Sequence, residues 1–139
     1  MTATSLSVSA TAQGVRQATG AFDAFSAAHG VALPVAQAMQ VALDELLSNT
    51  VRSGFSSGQA GHIEVRFEIS EGALDVLIVD DGIPFDPLAR ADPDTQAVLE
   101  ARPVGGLGIY LVKQLMDSVN YERRDGANRL RLKKGIIKG

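Results

Sequence analysis

Residues 63–69 alternate without a slip: Ile63, Val65, Phe67 and Ile69 are apolar, and Glu64, Arg66 and Glu68 between them are charged. A period of two sends each set to its own side of a strand, which gives this segment one buried and one wet face. Glu71-Gly72 then supplies a tight turn, and residues 74–79 return as an apolar run broken only by Asp75. So continuous a run belongs to a strand in the middle of a sheet. A chain with this hairpin must cover at least one face of a sheet, and the remaining segments determine what covers it.

Two helices precede the hairpin. Val15, Ala18, Phe22, Phe25 and Ala28 recur at helical spacing across residues 11–29, with Gly30 as a natural stop. Pro34 suits the first turn of a second helix that runs to about residue 53 and ends at Gly54. Residues 6–8 alternate with serine and predict a short first strand, and the small polar stretch 53–61 predicts a loop. Residues 86–104 carry three prolines and no sustained periodicity, and a connection this long in a compact domain is commonly functional, so it is read as a lid. Beyond it, Ile109, Val112, Leu115 and Met116 form an amphipathic helix, and strands at 119–123 and 129–133 flank Asp125-Gly126. This order predicts an α+β, two-layer sandwich over residues 1–139 as a single domain, with a mixed, mainly antiparallel sheet and helices on one face.

Composition removes several chemistries. Cysteine is absent, which excludes disulfides, a thiol nucleophile and cysteine metal sites, and His29 and His62 do not stand at a metal-ligand spacing. The net charge of −3 comes from interspersed acids and bases, which argues against general attraction to nucleic acid. Arg123-Arg124 and residues 129–134 form a modest basic cluster, read as a solvated strand edge. No run is long enough to span a membrane, and the N-terminus lacks a basic segment followed by an apolar core, so a cytoplasmic location is expected.

Three short elements carry the chemistry. On the second helix, Gln37, Gln40, Asp44 and Ser48 form a polar stripe expected to face solvent, while Glu45 and Asn49 lie off it beside Val41, Ala42 and Leu46. An amide buried there without a partner costs about 1–3 kcal/mol, so this pair reads as the lining of a site. Asn49 offers an uncharged oxygen to a hard cation such as Mg²⁺, and Glu45, one turn earlier, is placed to accept a proton. Asp80-Asp81-Gly82-Ile83-Pro84-Phe85 follows the central strand, and Asp80 is suited to accept a hydrogen bond from a purine amino group. Gly105-Gly106-Leu107-Gly108 opens a helix, where free N–H groups and the helix dipole favour phosphate. Each element also has a plain reading. Glu45 can pair with Arg52 on the helix surface, Asp80 to Gly82 can be a simple turn, and the glycines can merely cap and pack. A dinucleotide fingerprint fails because no third glycine follows at the needed spacing, and no Gly-Lys-Ser or Gly-Lys-Thr of a P-loop occurs.

Glu45-x-x-x-Asn49, Asp80-x-Gly82-x-Pro84-Phe85 and Gly105 to Val112 resemble the N, G1 and G2 boxes of the GHKL ATPase superfamily. The compact length, the Pro84-Phe85-Asp86 step and the stretch 113–126 most resemble the anti-sigma-factor serine/threonine kinases of the RsbW and SpoIIAB type. The resemblance implies a cytoplasmic, usually dimeric protein that binds ATP with Mg²⁺. In one state it would hold a sigma factor, and in another it would phosphorylate a STAS-domain anti-anti-sigma partner. By matching positions it makes Glu45 the catalytic base, Asn49 the Mg²⁺ ligand, Arg52 a phosphate contact and Asp80 the adenine contact. Gly82, Gly106 and Gly108 become positions of close backbone approach, with Gly105 and Leu107 completing the nucleotide-binding loop. The chain departs from the family pattern at Thr50, where alanine is common, and at Ser53, where histidine or tyrosine is frequent. The threonine that often approaches adenine from the last strand is also missing, and Asn128 is the residue available to stand in for it. Two other functions compete. One is an ATP-binding module that sequesters a regulator without phosphoryl transfer. The other is a detached histidine-kinase catalytic domain, disfavoured because His29 ends a helix instead of sitting within one.

Overall fold

The computed structural model describes residues 2–54, 61–89 and 107–136. The chain runs β1 (Thr2–Ser9), α1 (Ala12–Ala28), α2 (Leu33–Gly54), β2 (His62–Ser70), β3 (Ala73–Asp80), a 3-10 turn (Pro87–Ala89), α3 (Leu107–Leu115), β4 (Ser118–Arg124) and β5 (Ala127–Gly135). The five strands lie in the order β1-β2-β3-β5-β4. Every pair is antiparallel, so the sheet is not mixed as expected. The reversal of β3 against β5 follows from the β4–β5 hairpin, whose second strand, not its first, docks beside β3.

Both hairpins turn where the sequence places them. Glu71 and Gly72 have φ of 53° and 76°, and Asp125 and Gly126 have 54° and 76°. Two successive residues at positive φ match the right-handed twist of the strands they join. Gly30, at φ 64°, follows the end of α1. At the other end of α1, Thr11 Oγ1 accepts the Gly14 N–H at 3.0 Å. A side chain at Gly14 would overlap the Ser9 carbonyl oxygen, so glycine lets α1 start tight against β1.

β1 extends from Thr2 and pairs with β2 as far as Thr2↔Ile69, well beyond the short strand read from residues 6–8. Its serines and threonines give little hydrophobic pattern, and backbone pairing at the sheet edge sets its length.

One face of the sheet is covered. Ile63, Val65 and Phe67 of β2, Leu74, Val76 and Ile78 of β3, and Leu130 and Leu132 of β5 are buried together with Phe22, Phe25, Met39, Leu43, Leu46 and Leu47 from the helices. Phe67 anchors the layers, with ring centroids 5.4 Å from Phe22 and 5.6 Å from Phe25. On α2, Met39, Ala42, Leu43, Leu46, Leu47 and Thr50 form the buried stripe. Val41 falls outside it and is 49% exposed, so it does not border an apolar surface with Glu45 as expected. The polar stripe beside it is also not uniformly solvated. Gln40 is half-buried and donates to Thr19 O at 3.2 Å and Asp23 Oδ1 at 2.9 Å, tying α2 to α1.

β3 is central, as its apolar run implies, but its second face carries no covering helix among the described residues. Leu77 and Val79 there are half-exposed in a row with Arg129 and Arg131 of β5. The basic cluster is likewise more than a solvated edge. Lys134 Nζ donates to Leu115 O at 2.7 Å and caps the C-terminus of α3. Asp117 Oδ2 accepts the Gly135 N–H at 2.6 Å close by, so both ends of this junction fix α3 against β5. No described helix is long and apolar enough to cross a membrane.

Candidate functional site

Two side-chain clusters lie toward the helical side of the sheet. The first joins α2 to α3. Glu45 and Asn49 are one turn apart on α2, half-buried, flanking the buried stripe of Leu46, Leu47 and Thr50. α3 begins at Leu107, and its second residue, Gly108, lies directly against Glu45. A methyl group at Gly108 would overlap both carboxylate oxygens. Glycine therefore lets a carboxylate rest on the first turn of a helix, where unpaired N–H groups and the helix dipole favour negative charge. The sequence elements around Glu45 and Gly108, far apart in the chain, meet here. Arg52 Nη2 stands 4.0 Å from Glu45 Oε2, so the plain surface pairing foreseen for Glu45 is present as well. It is a loose pair, since the Arg52 side chain is 63% exposed.

Asn49 is the unusual member. Its Oδ1 is buried and has no hydrogen-bond partner among the described residues. Leaving such an oxygen unsatisfied costs about 1–3 kcal/mol, and a ligand that donates or coordinates there would recover it. A buried neutral oxygen, one helical turn from a carboxylate-bearing residue, is the kind of donor a hard divalent cation takes. Thr50, at the position where alanine is common in the resembling family, is buried, and Ser53 is half-buried.

The second cluster closes the end of the sheet. Asp80 is the last residue of β3, paired with Ile63 on one side and Asn128 on the other. The alternation of β3 puts its side chain on the covered face, where it is 4% exposed. Its Oδ1 accepts the Gly82 N–H at 2.9 Å, the local turn that an Asp-x-Gly step favours. The same oxygen accepts Asn128 Nδ2 at 3.0 Å. Asn128 also binds Ile83 O, Phe85 N and Tyr121 Oη, and Arg123 Nη1 donates to Gly82 O at 2.8 Å.

These contacts correct one expectation and extend another. Asn128 does not present its amide to a ligand in place of threonine, because its donors and acceptors are taken up by the protein. Arg123, exposed on the edge strand β4 as expected, does more than face solvent, because it also clamps the turn after β3. Tyr121 was not singled out in the sequence. Its alternation with Val119 in the last hairpin was the available signal, but its partner depends on the β3–β5 register. Gly105 and Gly106 lie outside the described residues, as does residues 90–104 of the expected lid.

Comparison with known proteins agrees with this architecture. Residues 8–134 match the histidine kinase-like ATPase domain. The serine/threonine-protein kinase BtrW of Bordetella bronchiseptica is 32% identical over 89 residues, which cover 64% of this chain and 63% of that protein. The serine-protein kinase RsbW of Listeria monocytogenes is 31% identical over 94 residues, covering 65% of this chain and 60% of the relative. The chain thus matches less than two thirds of the length of either kinase. Among solved structures, the RsbU and RsbW domains of Rv1364c from Mycobacterium tuberculosis superpose with a TM-score of 0.72 at 14% identity. That superposition covers 100% of this chain and 34% of the other. With the match running through nearly all of the described sheet and helices, the chain belongs to the histidine kinase-like ATPase domain family.

Proposed function

We propose that this protein is an ATP-dependent serine/threonine protein kinase of the partner-switching kind. The observation that carries the reading is the contact between the Glu45 carboxylate and Gly108 at the start of α3, with the unpartnered Asn49 oxygen one turn away. That arrangement brings a proton acceptor, a neutral oxygen suited to Mg²⁺ and the N-terminus of a helix to one place.

In this reading Asn49 Oδ1 would hold Mg²⁺, and Mg²⁺ when bound supplies charge neutralisation on the nucleotide phosphates. Gly108 leaves room for the Glu45 carboxylate at the start of α3, where phosphate oxygens would be received, and the resemblance adds Gly105, Gly106 and Leu107 to the nucleotide contacts. Glu45 accepts the proton of a partner hydroxyl, and Arg52, exposed beside it, adds positive charge to the phosphate side. Asp80 receives the amino group of adenine, with Gly82 letting the turn approach the base. The similarity to RsbW-type kinases supports a STAS-domain anti-anti-sigma protein as the phosphorylated partner, a sigma factor as the alternative partner, a homodimeric assembly and a cytoplasmic location.

A second reading is favoured by one observation, the Arg52–Glu45 pair. A Glu45 kept on Arg52 when nucleotide is bound would leave an ATP-gated module that sequesters a regulator without phosphoryl transfer. Affinity capture from extract with Mg-ATP or Mg-ADP, followed by mapping of phosphorylation on the captured proteins, separates the two. Phosphoserine or phosphothreonine on a STAS-domain protein, formed only with ATP, is the expected result. A captured but unmodified regulator supports the module.

A further inference from the structure

Asn128 carries two donor hydrogens on Nδ2 and two acceptor lone pairs on Oδ1, and the structure uses all four. Nδ2 donates to Asp80 Oδ1 at 3.0 Å and to Ile83 O at 2.8 Å. Oδ1 accepts the Phe85 N–H at 3.3 Å and the Tyr121 hydroxyl at 2.5 Å. The orientation of the amide is not arbitrary. The Ile83 carbonyl can only accept and the Phe85 amide can only donate, so a flipped Asn128 would set like against like at both backbone contacts. At 3% exposure the group is held in a dry setting where such bonds are strong and their loss is costly.

The consequence falls on Asp80. Among the described residues, both hydrogen bonds it receives, from Gly82 N and from Asn128 Nδ2, converge on Oδ1. A carboxylate pinned through one oxygen has its plane and its other oxygen fixed in direction. The clamp reaches beyond Asp80, because Ile83 O and Phe85 N hold the following turn to the same amide, and Arg123 holds Gly82 O from β4. Tyr121 lies on that same strand, so the last hairpin, not β3 alone, sets the geometry at Asp80.

We infer that Asn128, buttressed by Tyr121, is the positioning residue that orients Asp80 Oδ2 as the reader of a purine 6-amino group, and thereby sets the preference for adenine over a 6-oxo purine. The inference rests on the nucleotide-site reading above. Asn128 makes no contact with the base itself, since its hydrogen-bonding capacity is spent. A 6-amino group donates to a carboxylate oxygen, whereas a 6-oxo group presents an acceptor to it and is repelled. That discrimination requires the carboxylate to be held still. A mobile Asp80 could turn away from the 6-oxo group and lose the penalty.

The test is the ratio of dissociation constants for ITP and ATP, measured with Mg²⁺ by calorimetry on the wild-type protein, Asn128→Ala and Tyr121→Phe. Wild type is expected to favour ATP by about a hundredfold, the scale of discrimination when a buried polar group is left mismatched. In Asn128→Ala the ratio should fall by about tenfold or more, chiefly through weaker ATP binding. Tyr121→Phe removes one hydroxyl and should lower the ratio by about two- to fivefold. It also decides the matter if Asn128→Ala fails to fold. A merely structural role would weaken both nucleotides together and leave the ratio unchanged, and that result in the folded variants overturns the inference. Wild-type protein that binds both nucleotides equally would instead overturn the adenine assignment of Asp80, and one that binds neither would overturn the nucleotide-site reading.

Discussion

The two ends of the candidate nucleotide site are built in opposite ways. Around Asp80, a buried amide, a tyrosine hydroxyl, an arginine and four backbone groups of the 82–85 turn satisfy one another before any ligand arrives. Around Glu45, a carboxylate rests on a helix start, an exposed arginine stands at the limit of ion-pair distance, and a buried amide oxygen has no described partner. A saturated network resists change and suits recognition of a rigid base. An unsatisfied one stores a modest cost that a ligand can relieve, which suits phosphates and a metal ion that come and go. On the proposed reading, the rigid end would receive the base and the responsive end the phosphates.

Substitutions at the two ends should therefore differ in sign as well as size. Asn128→Ala leaves Asp80, Phe85 N and Tyr121 Oη short of a partner and should destabilise the protein by about 2–4 kcal/mol in urea denaturation. A loss below about 0.5 kcal/mol would mean that water replaces the amide and that the base end is not rigid. Gly108→Ala would usually add helix stability, but its methyl group would displace the Glu45 carboxylate. Thermal stability should hold within a few degrees, because the carboxylate is the end of a flexible side chain. Phosphoryl transfer should drop about 10- to 100-fold, since a small misplacement of a reacting group is costly. Equal activity of the alanine variant would separate Glu45 from the chemistry.

Asn49→Leu removes the unpartnered oxygen and should stabilise the nucleotide-free protein by about 1 kcal/mol while abolishing the Mg²⁺-dependent part of ATP binding. Destabilisation would show that the oxygen is satisfied in solution and would erase the contrast between the ends. The smallest effect belongs to Arg52→Ala, which should change nucleotide-free stability by less than about 0.5 kcal/mol because the pair is long and solvated. A larger loss would indicate that Arg52 locks Glu45 in place.

What could be read from the sequence follows the same division. The hairpin of β2 and β3, the two long helices and the turn glycines were legible because each depends on local periodicity or on a residue that tolerates positive φ. Glu45 and Asn49 stood out by departing from a helical pattern that the buried stripe from Met39 to Thr50 makes plain. The full length of β1, the bridge from Gln40 to α1 and the clamp at Asn128 were not legible. Each arises from pairing between distant segments, and a single change of register between β3 and β5 would turn Asn128 to the other face. Lys134 and Arg123 looked like ordinary surface charges for the same reason, since the carbonyls they meet belong to remote elements.

The central claim is that Glu45 serves the transfer step and not the binding of nucleotide. It is tested most directly by comparing wild type with Glu45→Gln, measuring Mg-ATP affinity and transfer of labelled γ-phosphate to the captured protein partner in the same preparations. The account predicts affinity within about threefold of wild type and transfer reduced by about 10²-fold or more, the usual contribution of a positioned general base. Transfer by Glu45→Gln at the wild-type rate would contradict it.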